Sequence, residues 1–233
     1  MISQTPFYLT VSMFLASVTF VFSVWLVIHL ANKNWLISSK IAIWLFGWYG
    51  IVFILGKKGF FGETTLWIPH IAFAFVVLYF FIKYLYYSPA LQKIFDVVPQ
   101  HWIIALQFSR IMGYGFLSFY FLGLLPGEFA IPTAVGDILV GFAAPIIAFL
   151  YYKKKTYARK IAMIWNYFGL ADLAMALTLG PITYPKPFQI LPTEIPSTLI
   201  ALNPLVMIPL FAVPLSILLH LFSLRKLKTD YKS

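Results

Sequence analysis

The chain has 233 residues, of which 61% are apolar and only 10% are charged. Soluble domains hold about 45–50% apolar and about 25% charged residues, so this apolar excess is too large for a water-soluble core. The formal net charge is +10 and cysteine is absent. This composition excludes a soluble enzyme, a nucleic-acid-binding domain, a disulfide-stabilised scaffold and thiolate chemistry. It indicates an integral membrane protein.

The apolar residues come in runs of about twenty, the length with which a helix crosses the hydrocarbon core. Backbone groups in lipid must satisfy one another, so these runs predict helices and not open strands. We therefore predict an all-α transmembrane bundle of seven helices that occupies residues 1–233 as a single domain. The predicted spans are residues 7–31, 35–56, 66–87, 101–125, 131–151, 161–180 and 199–223.

Two of the predicted connections have a distinct composition. The segment 88–100 mixes apolar and charged residues, which predicts a stretch lying along the inner membrane interface. The segment 181–198 holds five prolines. Proline lacks an amide hydrogen and fixes its own backbone angle, so this density predicts a stiff, extended outer loop.

Lysine and arginine are distributed unevenly over the predicted loops. Thirteen of them lie in the first, third and fifth loops and the C-terminal tail, and three lie in the second, fourth and sixth loops. The positive-inside rule then places the N-terminus outside and the C-terminus in the cytoplasm. Basic side chains at the inner end also predict contact with the headgroups of membrane lipids.

Three ionisable residues fall inside predicted spans: Arg110, Asp137 and Asp172. Each such charge costs about 2.5–3.5 kcal/mol on insertion scales, which makes it a candidate for function. The helical rise places both aspartates about 10–12 Å below the outer ends of their spans, within reach of the long Arg110 side chain. The simplest neutral arrangement pairs Arg110 with one aspartate and leaves the other protonated or bound to a cation.

Further polar residues share the helix faces of these charges. Gln107, Arg110 and Tyr114 are spaced i, i+3, i+7 on span four, and Trp165 shares a face with Asp172 on span six. The predicted ligand- or ion-binding residues are Arg110, Asp137, Asp172, Asn166, Gln107, Tyr114 and Trp165.

The two aspartates are expected to have different roles. Gly136 and Gly141 flank Asp137 and predict open space around its carboxyl group. We therefore favour Asp137 as the ligand-binding residue and Asp172 as the partner of Arg110.

Two histidines lie near the inner ends of the first and last predicted spans. His29 and His220 could ligate a b-type haem from both sides, although an interfacial histidine more often contacts a headgroup or a helix end. The aspartates lie at a different depth, so no metal site is predicted.

Binding or transport of a small molecule or ion, with proton coupling, is the predicted function, and no cofactor is predicted. Two alternatives are a haem b membrane oxidoreductase and an intramembrane enzyme that modifies lipid with an aspartate as acid or base. The sequence contains no serine nucleophile elbow, HExxH pair or phosphate loop that would favour the enzyme. A purely structural role is a further reading, because an Arg–Asp pair can simply join helices.

Seven spans with an external N-terminus resemble the microbial rhodopsins. No lysine lies between Lys186 and Lys226, however, so a retinal attached covalently in the seventh span is excluded.

A closer resemblance lies in the C-terminal two-thirds. The runs are LPGEFAIPTAVGD (125–137), WNYFGLAD (165–172) and PLVMIPLFAVPLSILLH (204–220). They resemble a group of uncharacterised bacterial integral membrane proteins over about residues 105–227. The resemblance implies a multi-pass protein of the bacterial inner membrane and carries no known activity.

Overall fold

The computed structural model describes residues 6–65, 68–185 and 189–229, and these ranges hold nine α-helices. The helices are α1 (Phe7–Asn32), α2 (Trp35–Lys57), α3 (His70–Tyr87), α4 (Pro89–Val97), α5 (Gln100–Leu106), α6 (Tyr114–Phe121), α7 (Gly127–Tyr152), α8 (Ala158–Ile182) and α9 (Val213–Thr229). Two-residue strands, β1 (Thr64–Thr65) and β2 (Ile68–Pro69), pair antiparallel before α3.

Six helical stretches in the described part of the chain are long and apolar enough to cross a membrane. They are Phe7–Asn32, Trp35–Lys57, His70–Tyr87, Gly127–Tyr152, Ala158–Ile182 and Ile208–Thr229. Each corresponds to one of the predicted spans; the predicted start of the third, at residue 66, lies outside the described residues. The protein is thus an apolar helical bundle compatible with an integral membrane protein.

The fourth predicted span is not a regular α-helix. A 3₁₀ segment, Gln107–Gly113, separates α5 from α6. A 3₁₀ helix has three residues per turn, so Gln107, Arg110 and Gly113 lie on one face, and all three are buried. The expectation of a continuous α-helical repeat is wrong here.

The last predicted span also begins irregularly. Residues Thr198–Ala201 form a short 3₁₀ helix, and a π-helix, Ile208–Ala212, leads into α9. Pro209 lies in the π-helix and lacks the amide that an α-helical ladder would need. The last membrane-length helical stretch therefore begins at Ile208 and not at residue 199, where it was predicted to begin.

The π-helix and α9 form the most enclosed membrane-length element. Two-thirds of its most apolar window (67%) is buried inside the bundle, against 11% for α3. It contacts α3, α5 and α8, while α7 packs on α8, α5, α6 and the 3₁₀ segment. Polar side chains on α9 can therefore meet those of neighbouring helices away from lipid.

The two distinctive connections fold onto the bundle. Phe95 of α4 stacks on Phe222 of α9 with ring centroids 4.2 Å apart. The described parts of the proline-rich loop hold no α-helix within residues 183–185 and 189–197. This loop returns to the end of α8, where the Ser197 hydroxyl donates to the Gly180 carbonyl at 2.7 Å.

Gly141→Ala is expected to lower the melting temperature (Tm) of the detergent-solubilised protein. A Cβ at Gly141 would lie 3.0 Å from the Arg110 carbonyl carbon and 3.1 Å from the Ile111 Cα. These are backbone atoms that cannot rotate away, and overpacking of this kind costs about 1–3 kcal/mol.

Gly47→Ala is the matched control. No atom lies within 4 Å of a Cβ at Gly47, and alanine is favoured over glycine in a helix by up to about 1 kcal/mol. This variant should melt at the same temperature or higher. Equal Tm values for the two variants would contradict the close packing of α7 on the 3₁₀ segment.

Candidate functional site

The guanidinium group of Arg110 lies at the centre of a buried polar cluster. Its Nε donates to Asp137 Oδ1 of α7 at 2.7 Å, and its Nη2 donates to Asp172 of α8. Its Nη1 donates to the Gly169 carbonyl at 3.2 Å and faces His220 Nε2 of α9 at 3.3 Å. The planar fork of donors lets one arginine bind both aspartates. The expected pairing of Arg110 with a single aspartate is therefore wrong.

The bonding of His220 assigns its tautomer. Arginine has no acceptor, so the Nε2 atom facing Arg110 must accept. The proton then lies on Nδ1, which donates to Asn166 Oδ1 at 2.9 Å. His220 is thus a neutral imidazole whose two nitrogens are both engaged.

A line of hydrogen bonds continues from His220 away from the aspartates. Asn166 Nδ2 donates to Ser223 Oγ at 2.9 Å, and Gln100 Nε2 donates to the same oxygen at 2.7 Å. All four side chains are buried. We call His220, Asn166, Ser223 and Gln100 the polar chain; it links Arg110 to the start of α5.

Two other predicted residues form hydrogen bonds between helices next to the cluster. Gln107 Nε2 donates to the Ser216 carbonyl of α9 at 2.9 Å. Trp165 Nε1 donates to the Val140 carbonyl of α7 at 3.2 Å, and its ring lies 5.1 Å from the ring of His220. Both residues hold helices together beside the charges.

Tyr114 lies outside the cluster and is 45% exposed. The predicted stripe from Gln107 assumed α-helical spacing. Because the intervening segment is 3₁₀, each residue turns the chain by about 120°, and Tyr114 is one residue beyond the buried face that ends at Gly113.

The two candidate haem ligands have separate environments. His29 Nδ1 lies 3.2 Å from Ser38 Oγ, and its ring stacks on Trp25 with centroids 5.5 Å apart. A haem bound by His220 would have to displace Arg110 or Asn166. Haem ligation by this pair stays a prediction from the sequence.

A cavity of about 90 Å³ borders Arg110 and Asp137. It lies between α1, the 3₁₀ segment, α7, α8 and the π-helix region, and has room for several water molecules. A second cavity of about 30 Å³ is also lined by Asp137, together with Thr133 one turn away on α7. The Asp137 side chain is 14% exposed and that of Asp172 only 3%. Asp137 is therefore the more accessible carboxyl group.

The expected open space at Gly136 and Gly141 is absent. A Cβ at Gly136 would collide with the carboxyl group of Asp172, and one at Gly141 would collide with the 3₁₀ backbone. These glycines bring the helices together and do not leave a void. The room near Asp137 comes instead from the cavity towards α1.

The charges of the cluster do not balance when both carboxyl groups are ionised. One arginine then faces two carboxylates, and the polar chain adds no charge. Asp172 Oδ1 is moreover buried without a hydrogen-bond partner, as is Thr133 Oγ1. A proton or another cation would neutralise the remaining charge, which is costly in a medium of low dielectric constant.

Sequence reasoning missed two members of the polar chain, Gln100 and Ser223. The spacing on α9 held a signal, because Ser216, His220 and Ser223 follow one another at i, i+4 and i+7 on one helix face. Gln100 had no comparable signal, since it begins a helix of only seven residues.

Arg110→Gln is expected to lower the Tm strongly, because it leaves two buried carboxyl groups without their cation, a change that typically costs about 3–5 kcal/mol. Arg225→Gln is the control. Arg225 pairs with Asp96, whose side chain is 45% exposed, and exposed pairs contribute about 0–1 kcal/mol. A small loss for Arg110→Gln, equal to that of Arg225→Gln, would contradict the central role of Arg110.

Comparison with known proteins identifies a family. No curated protein and no solved structure matches the chain. A family described as "Domain of unknown function (DUF8737)" matches residues 66–228. The match includes α3 to α8, most of α9 and every residue of the polar cluster, and it extends beyond the resemblance seen over residues 105–227. The chain belongs to this family of unknown function, DUF8737.

Proposed function

We propose that the chain is a bacterial inner-membrane protein with seven spans, an external N-terminus and a cytoplasmic C-terminus. It binds and transports a small molecule or ion together with a proton, and Asp137 is the residue that binds them. The observation that carries this proposal is that Asp137, although paired with Arg110, borders a cavity of about 90 Å³.

The span that completes the seven is the fourth in chain order, the interrupted stretch 100–121. Its residues are helical without a break through α5, the 3₁₀ segment and α6. At the usual rise per residue this stretch is about 36 Å long, enough for a hydrocarbon core of about 30 Å.

Contacts among the basic segments support the proposed orientation. Arg159 Nε donates to the Leu227 carbonyl at 3.0 Å, which joins the basic start of α8 to the end of α9. Lys226 Nζ donates to the Val98 carbonyl at 2.5 Å, which joins that end to the turn between α4 and α5. Three of the four basic segments therefore meet at one end of the bundle, as a cytoplasmic face requires.

The irregular helices next to the cavity favour transport over simple binding. Ser109, Met112 and Gly113 of the 3₁₀ segment line the cavity, as do Ile208 and Ala212 of the π-helix. Mid-helix 3₁₀ and π segments often mark hinges or functional sites, and broken helices bind ions in many transporters. Movement of these two segments would change access to Asp137.

Infrared difference spectroscopy of the purified protein tests the proton site. A step in pH should produce a carbonyl stretching band from a protonated carboxyl group, and Asp137→Asn should remove that band. Asp96→Asn is the matched control, because Asp96 also pairs with an arginine but lies at the surface. A band that persists unchanged in Asp137→Asn would contradict the proposal.

Thermal melting of the same variants separates a binding site from a structural pair. Arg110 keeps one carboxylate partner in Asp137→Asn and in Asp172→Asn, so both variants should remain folded. Asp137→Asn should lose proton binding with little change in Tm. A collapse of its Tm would indicate that Asp137 only joins the helices.

A further inference from the structure

We propose, resting on the function proposed above, that the transported molecule is a lipophilic amine that reaches Asp137 sideways from the lipid, between α1 and α5. Such a molecule has a small basic head and an apolar tail. The juxtaposition of a groove and the carboxyl-lined cavity carries this inference.

The groove lies between α1 on one side and α5 with the 3₁₀ segment on the other. Its volume is about 620 Å³. It shares four lining residues with the cavity at Asp137, namely Ala16, Phe20, Ser109 and Met112. Groove and cavity thus adjoin, and the cavity in turn borders Asp137.

Small residues on α1 form the groove wall. Ser12, Ala16, Thr19 and Ser23 follow one another at i, i+4, i+7 and i+11 on one helix face. The rest of the lining is mostly large and apolar, including Leu15, which is 57% exposed. An apolar tail fits this surface.

The charges of the polar cluster determine which head group the transported molecule can carry. Arg110 directs its donors to Asp137, Asp172, Gly169 and His220. Four of its five N–H donors are thus engaged, and this disfavours the binding of an anion. An ammonium group can instead take the place of the proton that neutralises the second carboxyl group, and it can donate hydrogen bonds to Asp137. A cavity of about 90 Å³ accepts such a head but not a long tail.

Proton transfer at Asp137 explains how a molecule that is charged at the site can enter through the lipid. An amine partitions into hydrocarbon in its neutral form. At the site the O–H bond of protonated Asp137 breaks and an N–H bond forms on the amine, which leaves an ammonium–carboxylate pair. The total charge of cluster and ligand is unchanged, so no bare charge crosses the hydrocarbon.

The probe is radiolabelled dodecylamine, measured on the full-length protein in lipid nanodiscs with empty nanodiscs subtracted. Dodecylamine should bind and raise the Tm, while dodecanol, with the same tail and no basic group, should do neither. Asp137→Asn should lose the binding of dodecylamine, and Asp96→Asn should retain it.

Thr19→Trp tests the route. Thr19 lines the groove but not the cavity, so tryptophan there should slow dodecylamine binding and leave the pH-dependent infrared band intact. Ile51→Trp is the control, because Ile51 is 62% exposed on α2 and lines neither space. Equal binding rates for the two variants would overturn the lateral route.

The remaining outcomes separate this inference from the proposed function. Equal stabilisation by dodecanol would mean that the groove holds an apolar lipid tail, and a dimer dissociated by Thr19→Trp would mean that it holds a second copy. Either result overturns the inference.

A wild-type protein that shows the infrared band but does not bind dodecylamine would overturn this inference and leave the proposed function standing. A wild-type protein that shows no infrared band would overturn the proposed function as well.

Discussion

The structure depends on one buried arginine shared by two carboxylates. Arg110 comes from the 3₁₀ segment and binds side chains or backbone of α7, α8 and α9. An unpaired guanidinium in a medium of low dielectric constant is very costly. The folded protein therefore requires α7, α8 and α9 to come together around Arg110. Gly136, Gly141 and Gly169 make that meeting possible, because a Cβ at any of them would collide with the cluster or its backbone.

The polar chain explains why α9 is so enclosed. His220 and Ser223 are buried and bonded to side chains on other helices, so this face of α9 cannot turn towards lipid. Both prolines of this element, Pro209 in the π-helix and Pro214 at the start of α9, precede these two residues. The enclosure of α9 thus follows from its polar residues as much as from its apolar ones.

The sequence predicted what depends on long apolar runs and on local depth. Six of the seven predicted spans are membrane-length helices, and the meeting of Arg110 with Asp137 and Asp172 follows from helical rise. The 3₁₀ segment was not predictable, because its residues have no distinctive composition and its backbone packs closely against Gly141 of another helix. The prediction that Tyr114 lies at the site is wrong for that reason, since Tyr114 is exposed. The predicted open space at Gly136 is filled by Asp172, which comes from another helix.

The 3₁₀ segment connects the charge of the site with access to it. The segment carries Arg110, and its Ser109 and Met112 line both the cavity and the groove. Neutralising Asp137 removes the charge that holds Arg110 Nε, while Asp172, Gly169 and His220 still hold the two Nη atoms. The guanidinium can then shift without losing all its partners, and the backbone that bears it can move with it. In the proposed function, a change of charge at Asp137 would thereby be transmitted to the wall between cavity and groove.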